Sequence, residues 1–158
     1  MHCAFYCKLC LIFALMKKTL SILIFTLIFS CQKNDDNNVN CNFLLSVPVN
    51  ASINLNLPQY NQLNFINNPV YVSGYGNKGL IINRIGANSF VAFDAADPNH
   101  TPSSCSTLEI SGIEGTCKCD DANSYSLFTG EPLGDNTLSC ALKAYRAELL
   151  GDNVIVTN

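Results

Sequence analysis

Ala92-Phe93-Asp94-Ala95-Ala96-Asp97-Pro98-Asn99-His100-Thr101-Pro102-Ser103-Ser104-Cys105 starts as a strand and ends as a loop. Cys117-Lys118-Cys119-Asp120-Asp121-Ala122-Asn123-Ser124-Tyr125-Ser126-Leu127-Phe128-Thr129-Gly130-Glu131-Pro132-Leu133 runs the other way, from a loop through a strand into a turn. The flanking sequence has the same grammar. Ile53-Asn54-Leu55-Asn56-Leu57 alternates apolar and amide side chains, so it reads as a half-buried strand that Pro58 stops. Val70-Tyr71-Val72 and Leu80-Ile81-Ile82 flank Gly74-Tyr75-Gly76-Asn77-Lys78-Gly79, which predicts a hairpin. Gly86-Ala87-Asn88 then turns the chain into Ser89–Asp94. Leu142 to Leu150 has the length of a helix, but Tyr145 and the following Gly151-Asp152-Asn153 turn into Val154-Ile155-Val156 favour a hairpin. Short strands with turn signals every eight to twelve residues or so predict an all-β fold, an antiparallel sandwich or barrel.

The two quoted loops resemble those of the Rieske domain, and the resemblance extends over about residues 53–158. Members of that family carry a strand ending in an Ala-Phe-Asp-like phrase, then a Cys-x-His loop. A second loop with Cys-x2-His follows, then an aromatic strand and a Thr-Gly-Glu-Pro-like turn. The Gly-Asn-Lys-Gly hairpin upstream fits as well. What the resemblance implies about chemistry is uneven. A Rieske [2Fe–2S] centre takes two thiolates on one iron and two imidazoles on the other. The position of the first Cys holds Asp97, and that of its His partner holds Asn99, with His100 one step out of register. Cys117 stands at the second Cys position, and Asp120 at the second His position. After residue 30 the chain has one His, His100, so two imidazoles are not available.

In the Rieske proteins of cytochrome bc complexes a disulfide ties the two cluster loops together. Cys105 and Cys119 occupy the corresponding positions, so the resemblance implies a Cys105–Cys119 bridge. It also brings the two ends of the domain close together, which suggests Cys41–Cys140 as a second pair and leaves Cys117 over. The sequence by itself allows other pairings. The loop carboxylates read as turn formers and caps rather than metal ligands. No metal and no cofactor are therefore expected, with a [2Fe–2S] cluster on an atypical ligand set as the alternative.

The composition divides the chain. Of 158 residues 48% are hydrophobic, but 22 of the first 30 are. Met16-Lys17-Lys18-Thr19 followed by apolar Leu20 to Phe29 and then Ser30 has the grammar of a secretory signal, residues 1–30. Its apolar middle is shorter than the ~20 residues needed to span a bilayer. Residues 1–15 lack such grammar, which suggests that translation starts at Met16. Leu27-Ile28-Phe29-Ser30-Cys31 resembles a bacterial lipobox, and the resemblance makes Cys31 the lipid-bearing first residue of the mature chain. Gln32-Lys33-Asn34-Asp35-Asp36-Asn37-Asn38 resembles the acidic segment behind that Cys in Bacteroidetes-type lipoproteins, so residues 31–40 read as lipidated Cys and flexible tether. Residues 41–158 are then the β domain.

From Cys31 on, six Lys and Arg face twelve Asp and Glu, a net charge of −6. That argues against nucleic acid and against docking on anionic lipid by charge. No P-loop, dinucleotide fingerprint or Ser nucleophile elbow is present. The expected protein is a non-catalytic module of the cell envelope. A lipid anchor would hold it in the outer membrane, on the periplasmic or the surface side, where it would serve an envelope protein partner.

Overall fold

The computed structural model describes residues 41–134 and 138–158. The expected signal segment, the start at Met16, the lipid-bearing Cys31 and the tether lie outside the described residues. The fold is all-β and antiparallel, as the alternation and turn spacing predict. A six-stranded sheet has the order β1(Asn50–Asn54), β9(Asn153–Thr157), β8(Ala144–Leu150), β4(Phe90–Asp94), β3(Leu80–Arg84), β2(Val70–Val72). A three-stranded sheet has the order β5(Leu108–Ser111), β6(Glu114–Cys117), β7(Ser124–Ser126). Among the described residues no helix is long and apolar enough to cross a membrane.

Two cores meet on β3 and β4. Leu80 and Ile82 face a core shared with Val72, Val154 and Val156, whereas Ile81 joins Phe93, Leu108, Tyr125 and Leu127 on the opposite face. Burial on both faces is why Leu80-Ile81-Ile82 is a continuous apolar run rather than an alternating one. The hairpin expected from Gly74–Gly79 forms, with Val72 opposite Leu80. Leu142 to Leu150 becomes strand β8 from Ala144 on and pairs with β9 through Gly151, so the hairpin wins over the helix.

One strand is shorter than the alternation predicts. β1 ends at Asn54, because the Asn54 carboxamide accepts the N–H of Asn56 at 2.9 Å and closes a turn. Asn side chains compete for backbone groups in this way. A 3-10 helix, Pro58–Asn64, follows and drives Leu63, fully buried, into the first core. The β5–β6 hairpin is an element that the strand pattern does not predict.

The Ala-Phe-Asp phrase has a structural reason. Asp94 ends β4 with no exposure, and its carboxylate accepts five hydrogen bonds. They come from Asn77 N at 2.8 Å, Asn77 Nδ2 at 2.9 Å, Lys78 N at 3.2 Å, Ala96 N at 3.0 Å and Tyr145 Oη at 2.8 Å. The Gly74–Gly79 loop is clamped onto it. Gly76 has φ +60°, and a Cβ there would lie 2.5 Å from Asp94 Oδ2.

Candidate functional site

The first loop leaves β4 and is held by Asp97 N donating to Ser106 O at 2.9 Å. The second runs from the end of β6 to the start of β7. Cys105 and Cys119 join them, with Cα atoms 5.0 Å apart. Cys41 and Cys140 form the other bridge, Cα–Cα 5.5 Å, and Cys117 is free and buried.

Asp97 is fully buried. Its Oδ1 accepts the backbone N–H of Asn99 at 2.8 Å and the hydroxyl of Tyr125. Its Oδ2 accepts Asn123 Nδ2 at 2.8 Å. Asn99 turns away from the cluster position. Its Nδ2 donates to Tyr125 Oη at 2.7 Å and to Cys140 O at 2.8 Å, while its Oδ1 accepts Cys140 N at 3.1 Å. Asn99 thus stitches the first loop to the segment before β8.

His100 is a quarter exposed and lies over this network. Its Nδ1 is 3.0 Å from the Thr101 carbonyl oxygen, which accepts a hydrogen bond from the ring whenever Nδ1 carries a proton. Nε2 faces Cys117 Sγ at 3.3 Å, Asp97 Oδ2 at 3.3 Å and Asp121 Oδ2 at 3.5 Å. Burial above all, and then the carboxylates of Asp97 and Asp121, push the Cys117 thiol up to about 12. Burial and the hydrogen bond to Asp97 likewise raise the Tyr125 phenol well above its ordinary value.

Of the residues singled out from the sequence, Asp97, His100 and Cys117 come together. Asn99 serves the scaffold, and Asp120 is exposed. Asp121, one residue on, is the carboxylate that enters the site. Tyr125 and Asn123 complete it. The inward phase of Ser124-Tyr125-Ser126-Leu127 marks Tyr125 as buried, and a buried phenol needs a partner. Nothing in the sequence points to Asn123.

The donors do not fit a Rieske centre. The described residues offer one free thiol, Cys117, and one imidazole, His100, where two of each are required. Cys119 lies close enough to the site, but its sulfur is committed to Cys105.

No family model matches the chain, and no curated protein matches it. Two solved structures are distantly similar. One is the complex of reduced oxygenase and oxidized ferredoxin in carbazole 1,9a-dioxygenase, with a TM-score of 0.45 and 16% identity over 72% of this chain and 94% of that chain. The other is the ferredoxin of carbazole 1,9a-dioxygenase from Nocardioides aromaticivorans IC177, with a TM-score of 0.40 and 18% identity over 70% of this chain and 97% of that chain.

Proposed function

We propose that this chain is a lipid-anchored cell-envelope protein whose Rieske-like β domain has lost its iron–sulfur cluster. It acts as a structural or interaction module, not as an enzyme. Asp97 carries the reading. At the first thiolate position stands a carboxylate in place of sulfur, buried and tied into the loop frame by hydrogen bonds from Asn99, Tyr125 and Asn123. The loop frame does not need a cluster, since Cys105–Cys119 and the Asn99 bonds to Cys140 hold it. Loops displayed on a rigid scaffold are where partners bind, and these two form the presentation surface. The lipid on Cys31 supplies the membrane attachment, and two or more acyl chains make it stable. The partner is an envelope protein, and the lipid sits in the outer membrane, on its periplasmic or its surface side.

Iron and acid-labile sulfide analysis, with a visible spectrum, tests this on the full chain purified anaerobically from the membrane fraction. The expected sample is colourless, with neither iron nor sulfide in stoichiometric amount. Two irons and two sulfides per chain would mean a Rieske-type electron carrier with an atypical ligand set. Replacing Cys31 with Ala should release the protein from the membrane fraction.

A further inference from the structure

We infer that the two loops hold a single divalent cation, zinc in type, among His100 Nε2, Cys117 Sγ, Asp97 Oδ2 and Asp121 Oδ2. The inference rests on the reading that no iron–sulfur cluster occupies these loops, and it departs from the expectation of no metal. The distances carry it. Zinc binds N and O at about 2.0–2.2 Å and S at about 2.3 Å, so a tetrahedral site has N···O edges of about 3.3 Å and N···S edges of about 3.5 Å. From Nε2 the three other donors lie at 3.3, 3.5 and 3.3 Å. The donor atoms of His100, Cys117, Cys119 and Asp121 all lie within 4.8 Å of one another, and because the Cys119 sulfur is bonded to Cys105 the fourth ligand is assigned to Asp97, whose Oδ2 faces His100 Nε2.

The polarity of the cluster points the same way. Nδ1 lies 3.0 Å from the Thr101 carbonyl oxygen, and Nε2 is directed at the Asp97 and Asp121 carboxylate oxygens and the Cys117 sulfur. A cation among the four, with Nε2 unprotonated, accepts a lone pair from each. An imidazole that gives its other N–H to a backbone carbonyl is the usual arrangement around a metal-bound His. Asn123 supports the anionic side. Its Nδ2 donates to Asp97 Oδ2 at 2.8 Å and to Asp121 Oδ2 at 3.0 Å, the same two oxygens that face His100. Asn123 is therefore a positioning residue.

One imidazole, one thiolate and two carboxylates suit zinc better than calcium or magnesium, which take oxygen ligands. Four protein ligands close the coordination shell, as in structural sites, so the ion is a clamp between the loops and not a Lewis-acid catalyst. Binding changes no oxidation state. The Cys117 S–H bond breaks, its proton goes to solvent, and Zn–S, Zn–N and two Zn–O bonds form. The clamp joins the loops that Cys105–Cys119 also joins, and would make the shape of the presentation surface depend on zinc.

The test uses the full chain, stripped with a chelator and titrated with Zn(II) and with Co(II). One ion per chain should bind. The cobalt form should show intense tetrahedral d–d bands and a thiolate-to-cobalt charge-transfer band. Cys117→Ala should abolish that band. His100→Gln and Asp121→Asn, both at partly exposed positions, should fold normally by circular dichroism and bind zinc at least tenfold more weakly, as should Asn123→Ala. Asp120→Asn should change nothing. A chain free of iron and sulfide that binds no Zn(II) overturns the clamp and leaves the cluster-free reading intact. So does a charge-transfer band that survives Cys117→Ala, or unchanged affinity in both His100→Gln and Asp121→Asn. Stoichiometric iron and sulfide overturn the earlier reading instead.

Discussion

Asp97→Ala is the perturbation that probes the centre of the loop frame. Its carboxylate takes hydrogen bonds from the Asn99 backbone, the Tyr125 hydroxyl and the Asn123 amide. These donors do not lose equally. Asn123 Nδ2 retains Asp121 Oδ2 at 3.0 Å, but the Asn99 N–H and the Tyr125 O–H are left without an acceptor. A stranded buried donor costs ~1–3 kcal/mol, so the pair costs ~2–6 kcal/mol. Removing a buried anion relieves its desolvation and returns part of that, which places the expected loss at about 3 kcal/mol. Tyr125→Phe alone should cost about 2 kcal/mol, because it removes a hydrogen bond to a charged group. In the Asp97→Ala background the hydroxyl keeps only the hydrogen bond that it accepts from Asn99 Nδ2, so the same change should cost about 1 kcal/mol. The coupling energy is then about 1 kcal/mol. Urea unfolding followed by circular dichroism, with disulfides intact and chelator present, measures all four corners of the cycle. Additivity within ~0.5 kcal/mol, or a loss below ~1 kcal/mol for Asp97→Ala, would refute the account of Asp97 as the hub of the loops.

The two bridges should differ in worth. Cys41–Cys140 spans 99 residues and Cys105–Cys119 spans 14. In the chain-entropy model these correspond to ~4.7 and ~3 kcal/mol, so Ala pairs at 41/140 should lower the urea midpoint more than Ala pairs at 105/119. Gly76→Ala should destabilise by more than about 2 kcal/mol, because it adds a collision with Asp94 to a left-handed backbone. Gly74→Ala, at φ +89° with open space around its Cβ, should cost only the backbone strain of ~1 kcal/mol, and the two thermal midpoints will separate these effects. Burial raises both Tyr125 and Tyr145 above the ordinary phenol value of about 10. Their contribution is complete below about pH 10. Above it the unfolded chain ionises first, and stability falls by ~1.4 kcal/mol per pH unit for each tyrosine. Urea midpoints at about pH 9 and 11 should show this loss, and Tyr145→Phe should flatten it.

Much of the fold is legible in the residues because alternation and burial coincide. The continuous run Leu80-Ile81-Ile82 and the β8–β9 pair announce themselves in that way. The β5–β6 hairpin does not, because one of its inward positions is Gly115, which no strand pattern favours. The reason for Gly115 lies across the sheet, where a Cβ would meet the Leu127 side chain at 2.9 Å. At β1 the apolar spacing predicts a longer strand than forms, since Asn54 closes a turn that hydropathy cannot register. The site is half legible. Asp97, His100 and Cys117 stand out through the Rieske resemblance, and the spacing then selects Asp120. Ala122, at φ 46°, turns the backbone so that Asp121 is the residue delivered, and a left-handed alanine has no sequence signature. Asn123 acts only through what it orients.

The Cys41–Cys140 bridge also sets a force path through the molecule. A pull on the chain ahead of Cys41, resisted at the C-terminus, passes through the sulfurs to Cys140 and on through β8 and β9. Residues 42–139 lie in a closed loop off that path. Tension from the N-terminal side therefore enters the domain at Cys140 without first passing along β1, and the loops carrying Asp97, His100 and Cys117 lie off the covalent load path. Reducing this one bond would move β1, both sheets and the site into the line of tension.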